Sequence, residues 1–377
     1  MQQAIVDHAF SAASVAVANH GGVVALKAFG TLTSERAGGA LDKRFEAASS
    51  ASFTRKPGLS DSKSTGKEVP VLQTTLFDLA SLTKVVATTS MAMLLYERGL
   101  LDLDAPVAAV VPEFLSDAEM DSRRRNVNLR MLLAHSSGLP AYEKLFLKTK
   151  TRDDLLRTAF AMPLASSPCT RAEYSDIGFI ILGIALERLA GEPLDRFCQR
   201  EIFGPLAMGS TTFNPPAAMR GQIPATAIDH TFRGRTIQGE VQDENASVLG
   251  GVAPHAGLFS PARDLALFAH AMLNPGSSIF RAETIALFTR RETTPPGTTR
   301  ALGWDTPAAS SQSGKYFSAN SFGHLGYTGT SLWIDPARQL SITLLTNRTW
   351  PDCSNQAIKQ IRPKFHDAAI EGLKLNK

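Results

Sequence analysis

The sequence predicts an α+β fold: an antiparallel sheet flanked by helices, with a mainly helical segment inserted between its strands. Three observations carry this. Strand-like runs cluster near the start and near the end of the 377 residues, the stretch between them is patterned for helices, and the chain closes on an amphipathic helix. Helices segregated from an antiparallel sheet define the α+β class. We assign 1–85 and 250–377 to a sheet-containing α/β part and 86–249 to a mainly helical part. No internal repeat interrupts this order.

The elements follow in turn. "SVAVANHGGVVALKAFG" holds two β-rich runs joined by His20-Gly21-Gly22, a hairpin signal. From about Leu32 to Thr75 the chain is poor in apolar side chains and reads as loop. "FDLASLTKVVATTSMAMLLYERG" turns apolar at helical spacing and stops at Gly99, which places Ser81 and Lys84 in a first helical turn. "NVNLRMLLAHSSGLP" is an apolar run ended by Ser-Ser-Gly and Pro140. "TRDDLLRTAFAM" and "IGFIILGIALERLAGEPLDRFCQREIFGPL" read as helices broken at Gly191, Pro193, Gly204 and Pro205. From "TTFNPP" to about Gly239 the chain is loop-rich. "SLWIDPARQLSITLLTN" returns two strands around Asp335-Pro336, and "QAIKQIRPKFHDAAIEGLKL" is the final helix.

Composition excludes several classes. Hydrophobic residues make up 44% and charged residues 20%, as in ordinary globular chains, and the net charge of +4 is only mildly basic. No basic stripe interleaved with aromatics supports nucleic-acid binding. "SRRRN", Ser122 to Asn126, is expected to be a solvated loop or helix end. Three widely spaced cysteines form no disulfide framework, and no H-E-x-x-H or paired Cys/His pattern occurs, so neither metal nor cofactor is expected. No apolar run approaches the ~18 residues of a membrane span. The start of the chain lacks a basic region followed by an apolar one, which predicts a cytoplasmic protein, or a periplasmic or secreted one from which a signal peptide was removed.

Chemistry enters at Ser81-Leu82-Thr83-Lys84. A hydroxyl and an amine three residues apart share a helix face, near the positive end of its dipole. The same two residues also fit an N-cap serine and a solvated lysine. Two further stretches decide: "EYSDIGFIILG", with Tyr174 just before a helix, and "GHLGYTGTSLWIDP", a glycine-rich strand entry with His324 and Gly326.

Together these boxes resemble the serine β-lactamase and penicillin-binding-protein superfamily, in its class C-like branch of β-lactamases, esterases, D-amino-acid peptidases and cell-wall hydrolases. Ser81-Leu82-Thr83-Lys84 matches S-x-x-K, Tyr174-Ser175-Asp176 stands where that family has Y-x-N, and His324-Leu325-Gly326 stands at K-T-G or H-x-G. "LLAHSSGLP", "GGVAPHAGLFSPARDLALF" and "TGTSLWIDP" are also similar, and the likeness spans roughly Ser14 to Asn347. The resemblance implies a β-lactamase/transpeptidase-like fold with its site in the cleft between the two parts. It implies a serine hydrolase working through an acyl-enzyme on Ser81, with Lys84 and Tyr174 carrying the proton. Which of the two is the general base stays open. The backbone amides of Ser81 and Tyr327 are the implied oxyanion donors. Asp176, His324 and Gly326 are the implied substrate contacts, Gly326 by letting substrate lie close to the strand.

Two positions depart from the family pattern. His324 replaces a lysine that would be a fixed cation for a substrate carboxylate; it predicts a pH dependence between about 5 and 8 and suits an esterase or peptidase better than an efficient β-lactamase. Asp176 replaces asparagine, and an anion there either holds Lys84 charged or attracts a cation on the substrate. A rival nucleophile, Ser136 of "AHSSG", approximates G-x-S-x-G but follows a helical run where a nucleophile elbow requires a strand.

The expected function is hydrolysis of small acyl esters or amides. The alternatives are a cell-wall D,D-carboxypeptidase or weak β-lactamase, and a non-catalytic module that captures an acyl or peptide ligand. The partner is a small acyl compound: ester, amide, peptide or β-lactam. The oligomeric state is left open.

Overall fold

A computed structural model describes residues 1–32, 69–115, 121–275, 279–309 and 311–374. Most of the loop expected between Leu32 and Thr75 lies outside these residues. The strands are β1 (Ala12–Asn19), β2 (Gly22–Gly30), β3 (Phe77–Asp78), β4 (Thr212–Phe213), β5 (Ala225–Asp229), β6 (Arg235–Gln238), β7 (Leu258–Ser260), β8 (Phe322–Leu325), β9 (Ser331–Asp335) and β10 (Leu340–Thr346). The main sheet runs β2-β1-β10-β9-β8, and all its pairings are antiparallel. Its centre joins the two ends of the sequence, with Ala13 opposite Thr346 and Val17 opposite Ile342. Small sheets β3-β7-β4 and β5-β6 complete the β structure.

β1 is apolar along nearly its whole length because both its faces are covered. Ala12, Ala16 and Ala18 join the main core, which also takes Leu265, Ala266 and Ala269 of the helix Ala262–Leu273. On the opposite face Ala13 and Val15 pack with Ile358, and Val17 with Ile370, both residues of the helix Ile358–Gly372. A strand buried on both faces reads as a continuous apolar run rather than an alternating one.

The helix Asp176–Ala190 is buried from Ile177 to Leu186. Ser175 caps its start, its Oγ accepting from the Gly178 amide at 2.9 Å, and Gly191 ends it in the left-handed region at φ 72°. At its middle, a Cβ on Gly183 would stand 1.9 Å from a Pro254 side-chain carbon. This glycine therefore lets the Pro254–His255 segment lie directly on the helix.

Two sequence readings change. The loop-rich stretch before Gly239 contains the β5-β6 hairpin. "SRRRN" forms a short 3-10 turn, and its Arg124 is buried, donating to the carbonyls of Phe114 (2.9 Å from Nε), Met162 and Phe160. The charge run therefore hides one guanidinium that ties three carbonyls together. No helix is long and apolar enough to cross a membrane among the described residues.

Candidate active site

The site begins where β3 ends. Asp78 is buried; its Oδ1 accepts from the Ala80 amide at 2.8 Å and its Oδ2 from the Gln242 amide at 2.7 Å. Burial pushes its carboxyl up to about 6, against the pull of those two amides. Ala80 sits at φ 47°, a left-handed conformation that an alanine adopts only under constraint. Thr328 donates to the Asp78 carbonyl at 2.7 Å and Thr330 to the Leu79 carbonyl at 2.9 Å. The turn before β9 thus grips the strained turn that presents Ser81.

Ser81 lies at the helix entry, and Lys84 opens a π-helical turn, Lys84–Thr89. Lys84 Nζ stands 3.0 Å from Ser81 Oγ and donates to the His255 carbonyl at 2.9 Å. It also meets Asp176 Oδ1 at 2.6 Å, an ion pair off the alignment of a hydrogen bond. Tyr174 OH donates to Ser81 Oγ at 2.6 Å. Two of the three sequence boxes therefore meet at one oxygen, and among the described residues the Ser81 hydroxyl caps no helix amide.

Charge follows from burial. The Lys84 side chain is fully buried, which lowers its pKa below the usual 10.5; Asp176 and Asp243 oppose the shift and Arg300 adds to it. Burial and the nearby Asp176 push the Tyr174 phenol well above its usual 10, against the Ser81 hydrogen bond. Both shifts favour the neutral forms, so a resting Tyr174 phenolate is disfavoured. Asp176 faces Lys84 and opposes the lowering of its pKa by burial.

His324 departs from expectation. It is buried, and burial together with the charges of Lys84 and Arg300 holds its pKa well below 6.5. Its Nδ1 faces the Leu325 carbonyl at 2.8 Å, so Nδ1 carries the proton and Nε2 is an acceptor. That Nε2 is buried and has no partner among the described residues. The expected titration between pH 5 and 8 is therefore disfavoured, because burial and the two nearby cations oppose the charged imidazole. An amine that must be neutral to take the Ser81 proton makes kcat/KM rise with pH through the Lys84 pKa, below 10.5. His324→Gln is expected to leave that limb in place in a pH–rate profile. A limb between 5 and 8 that disappears in this variant would restore the original reading.

Gly326 also changes meaning. It lines the cavity, but a Cβ there would stand 1.9 Å from Thr330 Oγ1 and 2.5 Å from the Leu79 carbonyl oxygen. Its bareness serves the contact with the Ser81 turn rather than room for substrate. The Tyr327 side chain is 50% exposed, under the Arg348 guanidinium at 4.4 Å. Among the described residues no carbonyl accepts from the Ser81 or Tyr327 amide.

Sequence reasoning missed four neighbours. His135 packs against Tyr174 at 4.8 Å between ring centroids, and its Nδ1 accepts the Ser175 amide at 3.0 Å. Asp243 meets His255 Nε2 at 3.0 Å, and the His255 carbonyl receives Lys84. Arg300 lies 5.6 Å from the centre of the Tyr174 ring. "LLAHSSGLP" and "GGVAPHAGLF" already contained His135 and His255; nothing in the sequence marked Arg300. Ser136 follows the helix Leu129–Leu133 and is buried, without the strand a nucleophile elbow needs. A cavity of about 750 Å³ opens over Ser81 and is bordered by Tyr142, Phe146, Arg300 and His324. No cluster of three metal-ligating side chains occurs among the described residues.

A sheet–helix fold with Ser, Lys and Tyr converging on one oxygen defines a hydrolase of the serine acyl-transfer type. The chain belongs to the Beta-lactamase family, whose family model matches residues 1–362. It is 38% identical over 305 residues to an N-acetylmuramyl-L-alanine amidase of Bacillus subtilis (strain 168), covering 73% of this chain and 68% of that protein. It is 34% identical over 314 residues to a putative D-alanyl-D-alanine carboxypeptidase of Escherichia coli (strain K12), covering 74% and 71%. Among solved structures it resembles a class C β-lactamase of Rhodobacter sphaeroides, with a TM-score of 0.66, 20% identity and 97% of each chain covered. It also resembles unliganded simvastatin synthase from Aspergillus terreus, with a TM-score of 0.71, 19% identity, and 100% and 97% covered. At these identities the structural likenesses speak to the fold.

Proposed function

We propose that the protein hydrolyses an amide bond of a small cell-wall-derived acyl compound through an acyl-enzyme on Ser81. The observation that carries this is Ser81 Oγ, held between Tyr174 OH at 2.6 Å and Lys84 Nζ at 3.0 Å at the floor of a 750 Å³ cavity. The amide preference is supported by relatives named amidase and carboxypeptidase.

Neutral Lys84 takes the Ser81 proton as Oγ bonds to the acyl carbon. Asp176 stabilises the ammonium that forms. The amides of Ser81 and Tyr327 receive the negative charge on the acyl oxygen. The C–N bond breaks as Tyr174 gives its proton to the leaving nitrogen, and the proton on Lys84 replaces it. Water then attacks the acyl-enzyme, Lys84 takes its proton, and Ser81 recovers the hydroxyl as the acid departs.

The test is to trap the acyl-enzyme from a slowly released p-nitrophenyl ester and map the adduct by peptide mass spectrometry. The adduct is expected on Ser81. An adduct on Ser136, or none during turnover, would overturn the mechanism.

A further inference from the structure

We infer that Arg362 is a positioning residue of the oxyanion site: its guanidinium holds and polarises the peptide unit whose N–H is the Tyr327 donor. This rests on the acyl-enzyme reading above.

Arg362 belongs to the helix Ile358–Gly372 and is 5% exposed. Its Nη2 donates to the Gly326 carbonyl at 2.5 Å and to the Thr330 carbonyl at 3.0 Å, and its Nη1 to Gln312 Oε1 at 3.0 Å. Its Nε is buried and has no partner among the described residues, and none of their carboxylates pairs with it. Burial, and then the charge of Arg348, another cation, bring its pKa down to about 9, which leaves it charged at neutral pH. A buried charge without a counter-ion is costly, and a neutral donor would fill the same hydrogen bonds at lower cost. Arg124 shows that a guanidinium can be a plain tie between carbonyls. Arg362 differs in the peptide it holds.

The Gly326 carbonyl and the Tyr327 N–H are the two ends of one peptide unit. That unit is trans, so the two bonds point in opposite directions. With the carbonyl turned onto Arg362, the N–H is turned away from it, and no carbonyl accepts it among the described residues. Gly326 and Tyr327 border the cavity that opens over Ser81. A cation on the carbonyl draws electrons from the nitrogen and strengthens the N–H as a donor, because hydrogen bonds in a chain polarise one another. The second bond, to Thr330, fixes the other end of the same turn, where the Thr330 hydroxyl grips the Leu79 carbonyl. One side chain thus sets both the place and the charge of the Tyr327 amide, acting only through backbone.

The test separates charge from anchorage. Gln312→Glu keeps the guanidinium and its bonds but sets a carboxylate beside Nη1, which offsets the charge while strengthening the hold on Arg362. The readouts are a thermal melt, kcat and KM, and the infrared carbonyl stretch of the acyl-enzyme formed from a slowly released p-nitrophenyl ester carrying a 13C-labelled carbonyl. A weaker oxyanion donor moves that stretch to higher wavenumber. Losing a whole donor costs ~10²–10³ in kcat, so weakening one is expected to cost about 10-fold. Gln312→Glu should therefore melt no lower than wild type, lose about 10-fold in kcat with KM unchanged, and raise the stretch. Arg362→Gln should raise the stretch as well, and Arg362→Lys, which restores the charge, should bring it back toward wild type. If Arg362→Gln does not fold, Gln312→Glu decides. A folded Gln312→Glu with the wild-type stretch and kcat, or a kcat that falls with the stretch unmoved, overturns the inference and leaves Arg362 a structural tie. A Ser81 adduct with an unmoved stretch sinks only the Arg362 assignment; an adduct on another residue sinks the reading beneath it.

Discussion

Lys84→Ala is expected to slow acylation by roughly 10³-fold, within the range of a lost general base. Lys84 and Tyr174 are the two proposed proton carriers and both hydrogen-bond Ser81 Oγ, and burial with Asp176 nearby disfavours the phenolate of Tyr174. Without the amine nothing of suitable basicity remains. The fold should survive, because the counter-charge left behind, Asp176, is 14% exposed at the cavity and can rehydrate. Stopped-flow release of p-nitrophenol measures the effect, with a thermal melt as the check on folding. Acylation at the wild-type rate would remove Lys84 from the mechanism. Asp176→Asn extends the test with a defined sign. Asp176 raises the Lys84 pKa, so its removal should move the activity limb to lower pH.

Gly326→Ala is expected to lower both stability and turnover. The added carbon would overlap Thr330 Oγ1 and the Leu79 carbonyl, a backbone atom one residue before the strained Ala80. Overpacking of this kind costs about 1–3 kcal/mol. The displaced backbone carries the Tyr327 amide, and losing an oxyanion donor costs ~10²–10³ in kcat. Chemical denaturation and steady-state kinetics should therefore fall together. An alanine variant with wild-type stability and kcat would show that the Ser81 turn and the strand beside it are not locked to each other.

Much of this was legible in the sequence, for a physical reason. Ser81, Lys84, Tyr174, Asp176 and His324 lie in short local boxes, each next to a helix or strand start whose own pattern is visible. The hairpin around His20-Gly21 and the strands around Asp335-Pro336 follow from alternation and turn residues. Arg300 was not legible, since it reaches the site through tertiary packing and no local pattern accompanies it. Arg124 was misread because a run of charges looks solvated when the carbonyls that bury one of them lie elsewhere in the chain. The charge behaviour of His324 was not legible, because titration depends on burial and on Lys84 and Arg300, which sequence spacing does not report.

The pairing of β1 with β10 has a consequence for how the molecule is made. Ser81 and Lys84 leave the ribosome long before β8, β9 and β10 exist. Until then β1 has no partner on its β10 side, and the Thr328 and Thr330 hydroxyls that hold the Ser81 turn are absent. Such long-range pairing makes folding slow. It also means the nascent chain carries the proposed nucleophile without the strand proposed to hold the oxyanion, so activity should arise only once nearly all of the chain has been translated.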